Sequence, residues 1–211
     1  MKRNLKKLAN ITLLILITTF FTSCINKKET SSNYQQEITE MKQILENSAL
    51  SAEAKYGIIN KIATTLLQHE QHTQLIVYLT DWIHKNPSDQ FNAYWLLMVA
   101  HSYMKTNSEP MAEFYFERII KNYKDLEIQG QSIHFLCLEN LIKINKNPTS
   151  RIKYFNQLIN RFPSRVSITE MYVRLAREYE TIGEWKKALR TYKMFLDQPD
   201  SASIQISDIP D

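Results

Sequence analysis

The chain repeats itself at a distance of 76 residues. Ala100 falls on Ala176, Tyr103 on Tyr179, Ala112 on Ala188 and Phe116 on Tyr192, while Leu79 falls on Phe155 and Pro87 on Pro163. The segments that carry these residues place apolar side chains three and four apart, the spacing of one helix face. Two units of about 38 residues, each a pair of helices, account for the offset. Such units cannot bury their apolar faces alone and stack side by side into a solenoid. Only 3 Gly and 6 Pro occur among 211 residues, so tight hairpin turns are scarce and long helices are favoured over strands. No strand is expected before residue 200, and the alternating SASIQIS that follows is assigned to an acidic tail.

Helical periodicity begins at Ile38 and is interrupted near Ser51, 69–73, 86–89, 106–108, 124–127, 145–149, 163–167, 182–183 and Pro199. The intervals predict about nine helices. Pro110 suits a first helical turn, where its missing N–H costs nothing. Ser167 and Glu170 fit a capping box. Within a pair, two helices approach to roughly 8 Å only where a small side chain faces a large one. Ala176 and Ala188 supply that approach, Tyr179 and Tyr192 fill the space beside them, and Gly183 provides the positive φ of the connection.

Taken together, Tyr172, Leu175, Ala176, Tyr179, Gly183, Ala188, Tyr192 and Pro199 resemble the tetratricopeptide repeat, as do Leu96, Val99, Ala100, Tyr103, Ala112 and Phe116. Weaker copies start near Tyr56 and near Ser132, the latter with Glu139 and Arg151 at the two small positions. The resemblance implies an all-α, right-handed α–α solenoid of about four helix pairs with an extra N-terminal helix, spanning 37–200 and followed by a tail at 201–211. The alternative is an irregular helical bundle in which Ala and Tyr recur by chance.

The N-terminus carries an address. A basic MKRNLKK precedes an apolar run of 11 residues, ITLLILITTFF, too short for a spanning helix of about 20. It ends in FTSC at Cys24. This resembles a bacterial lipoprotein signal peptide, 1–23, which implies cleavage before Cys24, lipidation of its sulfur, and a location on the envelope membrane, at the periplasmic face of the outer membrane. An ordinary cleaved signal peptide and an uncleaved anchor are the alternatives. Residues 24–36 read as a flexible tether. Without Lys2, Arg3, Lys6 and Lys7, the 26 basic side chains fall to 22, matching 22 acidic ones, so net charge gives no reason to expect a nucleic-acid partner. Cys137, the second cysteine, reads as a small buried apolar residue.

Signals for chemistry are weak. Three scattered glycines leave no phosphate-cradling loop, and no nucleophile elbow or metalloprotease helix is present. His69 and His72 in HEQH lie at a turn without supporting Cys or Asp, so a solvated turn is preferred over a metal site. No cofactor, metal or catalytic residue is expected, and the protein reads as a binding scaffold rather than an enzyme. In tetratricopeptide repeats, exposed positions of the first helices bind peptides. By this resemblance the groove residues are Asn60, Thr64, Tyr94, Leu97, His101, Met104, Leu136, Asn140, Lys143, Val173 and Arg177. Their mixture suits a neutral peptide or protein partner. Among envelope lipoproteins, Phe155, Leu158, Ile159, Phe162, Pro163 and Ser164 resemble the second helix of barrel-assembly lipoproteins of the BamD type, implying a role in outer-membrane protein assembly. The rival is a transporter-associated lipoprotein that binds a small ligand or a solute-binding protein, with a deep apolar pocket at Tyr94, Trp95 and His101.

Overall fold

The computed structural model describes residues 33–46, 49–163 and 168–197. Cys24, the signal segment, Ser167, Pro199 and the tail lie outside the described residues. Among the described residues there are nine helices: α1 (33–45), α2 (Ala52–Gln68), α3 (His72–Lys85), α4 (Asn92–Lys105), α5 (Glu109–Asn122), α6 (Ile133–Ile144), α7 (Pro148–Arg161), α8 (Ile168–Thr181) and α9 (Trp185–Leu196). They fall into two compact units, divided after Glu70.

The N-terminal unit holds α1 and α2. Residues 33–36, expected to belong to the tether, are helical. Tyr34 explains the difference: its ring stacks on His69 at 4.0 Å between centroids, and it is buried with Ile38. Ser51 caps α2 by accepting from the Ala54 N–H at 3.2 Å.

In the second unit every helix packs on the next in sequence, and α4 also touches α6. That strictly local pattern is the solenoid signature. The 76-residue offset holds for helix boundaries as well as residues. It carries α3 onto α7 and α4 onto α8 at both ends, and the start of α5 onto the start of α9. Connections of three residues (106–108, 145–147, 182–184) close the pairs, and six-residue connections (86–91, 162–167) join α3 to α4 and α7 to α8. Unit lengths are nevertheless unequal. From Asn92 to Ile133 is 41 residues and from Ile133 to Ile168 only 35, because the α5–α6 connection carries an insertion.

That insertion corrects the expectation of no early strand. Glu127–Ile128 (β1) pairs antiparallel with Gln131–Ser132 (β2) through a turn in which Gln129 and Gly130 both have positive φ, 52° and 77°. Two-residue strands are too short to show alternation, so Gly130 was the one available signal. Asp125 fastens the hairpin to α6. It accepts from the Ser132 hydroxyl and, at 3.0 Å, from the His134 N–H, while Ser132 caps the Phe135 N–H at 3.0 Å.

The alanines do what the spacing demanded. Ala100, Ala112 and Ala176 are completely buried and Ala188 nearly so, and the α4–α5 and α8–α9 pairs that carry them are packed together. Gly183 has φ 75°, and Asn107, 76 residues earlier, has φ 56°. At both ends the same two bonds form. Ser108 N–H donates to Tyr103 and Glu184 N–H to Tyr179, each at 2.9 Å; Asn107 N–H donates to Met104 at 3.2 Å and Gly183 N–H to Glu180 at 2.9 Å. These are Schellman caps that satisfy the last helical carbonyls.

Candidate partner-binding site

The α6–α7 pair departs from this scheme. Counted from the connection, Glu139 stands where Ala100 and Ala176 stand, and Arg151 where Ala112 and Ala188 stand. Neither charged side chain can occupy a dry helix–helix contact without heavy desolvation. The connection differs too. Asn145 and Asn147 are both extended rather than left-handed, and the Asn147 side chain accepts from the Thr149 N–H at 2.9 Å.

A cleft of about 790 Å³ opens where the small residues are missing. Its walls come from α6 (Glu139, Asn140, Lys143), α7 (Arg151, Phe155) and α8 (Arg174, Arg177, Glu178). Arg151 crosses to α8, where its Nε and Nη2 donate to the two Glu178 carboxylate oxygens at 2.8 and 2.7 Å; its Nη1 donates to the Asn145 carbonyl at 2.9 Å. This bidentate pair is the strong, geometrically defined form of an ion pair. It fixes α8 against α7 and neutralises one cation of the wall. Arg174 lies over the Phe155 ring at 5.3 Å from its centroid, with Glu170 3.8 Å away. Partial desolvation raises the Glu139 carboxyl above its ordinary value, with Arg174 opposing and Glu170 reinforcing the shift. Four cations therefore meet two carboxylates in the wall, with Lys143 supplied by α6 and Arg177 by α8.

Three of the groove residues expected from sequence, Asn140, Lys143 and Arg177, are brought together in this cleft. Asn140 is held in place by donating to the Leu136 carbonyl at 2.7 Å, and Leu136 itself is half-buried one turn away. Two expectations fail. Leu97 is only 5% exposed and Val173 completely buried. They are the same register position, 76 residues apart, and Val173 packs on Phe195 of its own pair's second helix, so this position faces the core and not the groove. His101 is half-buried, edge-on to Phe116 at 5.6 Å. Tyr94 leans on Trp95 at 5.0 Å, and Met104 is half-buried at the far end of α4. Asn60 and Thr64 lie on α2 in the other unit, where the Thr64 hydroxyl donates to the Asn60 carbonyl at 2.8 Å.

The aromatic pocket of the rival reading does not coincide with either cleft. Trp95 is fully buried, and its indole N–H, like that of Trp82, donates to Asp89, at 3.2 and 2.9 Å respectively. The second cleft, about 330 Å³, lies between Thr80, His84, Tyr115 and Arg118. No described helix is long and apolar enough to cross a membrane. Sequence reasoning missed Arg151, Glu178 and Arg174 as site residues. The signal was present, since Glu139 and Arg151 broke the small-residue pattern, but breaking a pattern shows only that a contact is lost, not what fills the space.

Comparison with solved structures identifies the architecture. Two crystal structures of MamA superpose with TM-scores of 0.50 and 0.51 at 15% identity, covering 84% and 85% of this chain and 95% and 91% of theirs. The nearly identical TPR-like repeats described for a kinesin light chain of Podosopora anserina superpose with a TM-score of 0.50 at 11% identity, covering 82% of this chain and 90% of that one. The fold is of the tetratricopeptide-repeat type. No family model and no curated protein matches the chain. At these identities the likeness speaks for the helical-repeat architecture and for nothing finer.

Proposed function

We propose that this protein is a membrane-anchored interaction scaffold of a bacterial envelope, and that the α6–α7–α8 cleft receives an acidic, extended segment of a partner protein. The carrying observation is the cleft itself, which opens where a repeat has exchanged its two alanines for Glu139 and Arg151. Its excess of cations favours an acidic partner, a revision of the neutral one suggested by the groove residues as a set. The envelope setting rests on the lipobox-like run ending at Cys24. Resemblance of Phe155–Ser164 to barrel-assembly lipoproteins makes a barrel-forming outer-membrane protein the candidate partner.

A photocrosslinker placed at Asn140 of the full chain in native membranes tests this reading. The expected result is one dominant crosslinked protein, reduced about tenfold by Arg177→Glu or Lys143→Glu, equivalent to about 1.4 kcal/mol. Recovery of barrel-assembly components supports the assembly role. Crosslinking that ignores both charge reversals removes the cleft from consideration.

A further inference from the structure

Helix α9 closes the described part of the solenoid with an apolar stripe. Trp185 and Leu196 are each 66% exposed and Leu189 59%. With Tyr192, which packs partly on the core of the last pair, they recur at the spacing of one helix face. Large apolar side chains gathered on one exposed strip mark an interaction site rather than chance exposure.

The 76-residue register says what this face is for. Trp185, Leu189, Lys193 and Leu196 correspond to Glu109, Glu113, Glu117 and Ile120 of α5. On α5 this strip docks the next pair. Glu109 meets Lys146 at 2.9 Å, Glu113 accepts from Asn145 at 2.6 Å and from the Tyr154 hydroxyl at 3.1 Å, and Glu117 accepts from Lys153 at 2.9 Å and from the Tyr154 hydroxyl at 2.8 Å. At that junction α5 supplies the carboxylates and the following pair supplies the cations. On α9 the strip is apolar with Lys193 in place of Glu117, and Lys186 and Arg190 continue the positive charge around the helix.

We infer that α9 is a docking surface for an acidic amphipathic helix of a partner protein, set against α9 as the α6–α7 pair is set against α5. Its apolar residues would cover Trp185, Leu189 and Leu196, and its carboxylates would face Lys193 and Lys186. Two alternatives fit less well. A second copy docked through the same strip would set these cations against their own counterparts. A membrane-surface helix gives its whole apolar face to the headgroup region and turns its basic face to water. Here the stripe adjoins the buried residues Ala188 and Phe195, with cations on its outer side. This surface is separate from the α6–α7–α8 cleft and does not depend on the reading given to it.

The test uses the full chain in mild detergent and a synthetic 18-residue helical peptide with leucines on one face and glutamates beside them. The expected result is saturable binding that high salt weakens and that Leu189→Glu reduces at least tenfold. Lys193→Glu should also weaken it, and a peptide with lysines replacing its glutamates should restore binding to that variant. Leu189 and Lys193 are exposed, so both variants should keep the parent's helical signal and thermal midpoint, and Asn140 crosslinking should be unaltered. Four results overturn the inference: no binding, or binding indifferent to both substitutions; a dimer that Leu189→Glu dissociates, which makes a second copy the occupant; binding to anionic phosphatidylglycerol vesicles lost in the same variants; or a gain in peptide binding when 198–211 are deleted, which makes that segment the occupant.

Discussion

Gly183 and Asn107 occupy the same turn of two repeat pairs, and both hold a left-handed backbone. An added Cβ at Gly183 would meet nothing within 4 Å, so a substitution there is penalised by backbone conformation alone. Gly183→Ala is expected to destabilise the full chain by about 1 kcal/mol, read from chemical denaturation. Asn107→Gly should act in the opposite direction, since Asn pays part of that strain already. An unchanged midpoint in both variants would show that the Schellman cap does not persist in solution. Glu70 also has positive φ, 55°, at the end of α2, which no sequence pattern would single out.

Between elements, Asp89 knots the α3–α4 connection. Its carboxylate accepts from both indole N–H groups, Trp82 and Trp95, and from the Phe91 N–H at 2.9 Å. Asp89→Ala leaves the buried Trp95 donor without this acceptor and should cost about 2–3 kcal/mol, seen as a lower thermal midpoint and altered tryptophan fluorescence. Asp89→Asn, which keeps an acceptor but loses the charge, should cost less. Helix existence and pairing were legible here because Ala100, Ala112, Ala176 and Ala188 recur with the right partners. The hairpin at 127–132 was not legible, because its short strands are fixed by Asp125 and Ser132 rather than by any period of their own. Nor was the burial of Leu97 and Val173, since an apolar residue on a first helix can face either its own partner or the groove, and only packing decides.

For the whole molecule, acid should loosen the fold through two imidazoles that the fold shields from water. His101 and His134 are both held below the ordinary imidazole value, chiefly by burial, with Lys105 adding to the effect at His101; at His134 Asp125 opposes it and Arg161, whose guanidinium lies 2.7 Å from Nδ1, adds to it. The folded chain keeps these rings neutral where the unfolded chain protonates them. Their contribution is present above about pH 6.5 and is lost as pH falls below it. Glu139, raised chiefly by desolvation, titrates with the opposite sign, so the comparison of variants is the readout. His101→Gln should flatten the fall in thermal midpoint between about pH 7 and pH 6. An equally steep fall in that variant would assign the acid sensitivity to other groups.

Sequence alone determined that this chain is a stack of helix pairs. Small residues facing aromatic ones at a fixed offset are a local steric requirement, and local requirements are written in neighbouring residues. The tertiary structure decided where the stack is open. A cleft and an exposed strip are properties of what three or more helices leave uncovered, and Glu139, Arg151, Trp185 and Leu189 acquire their meaning only from the helices that do or do not lie against them.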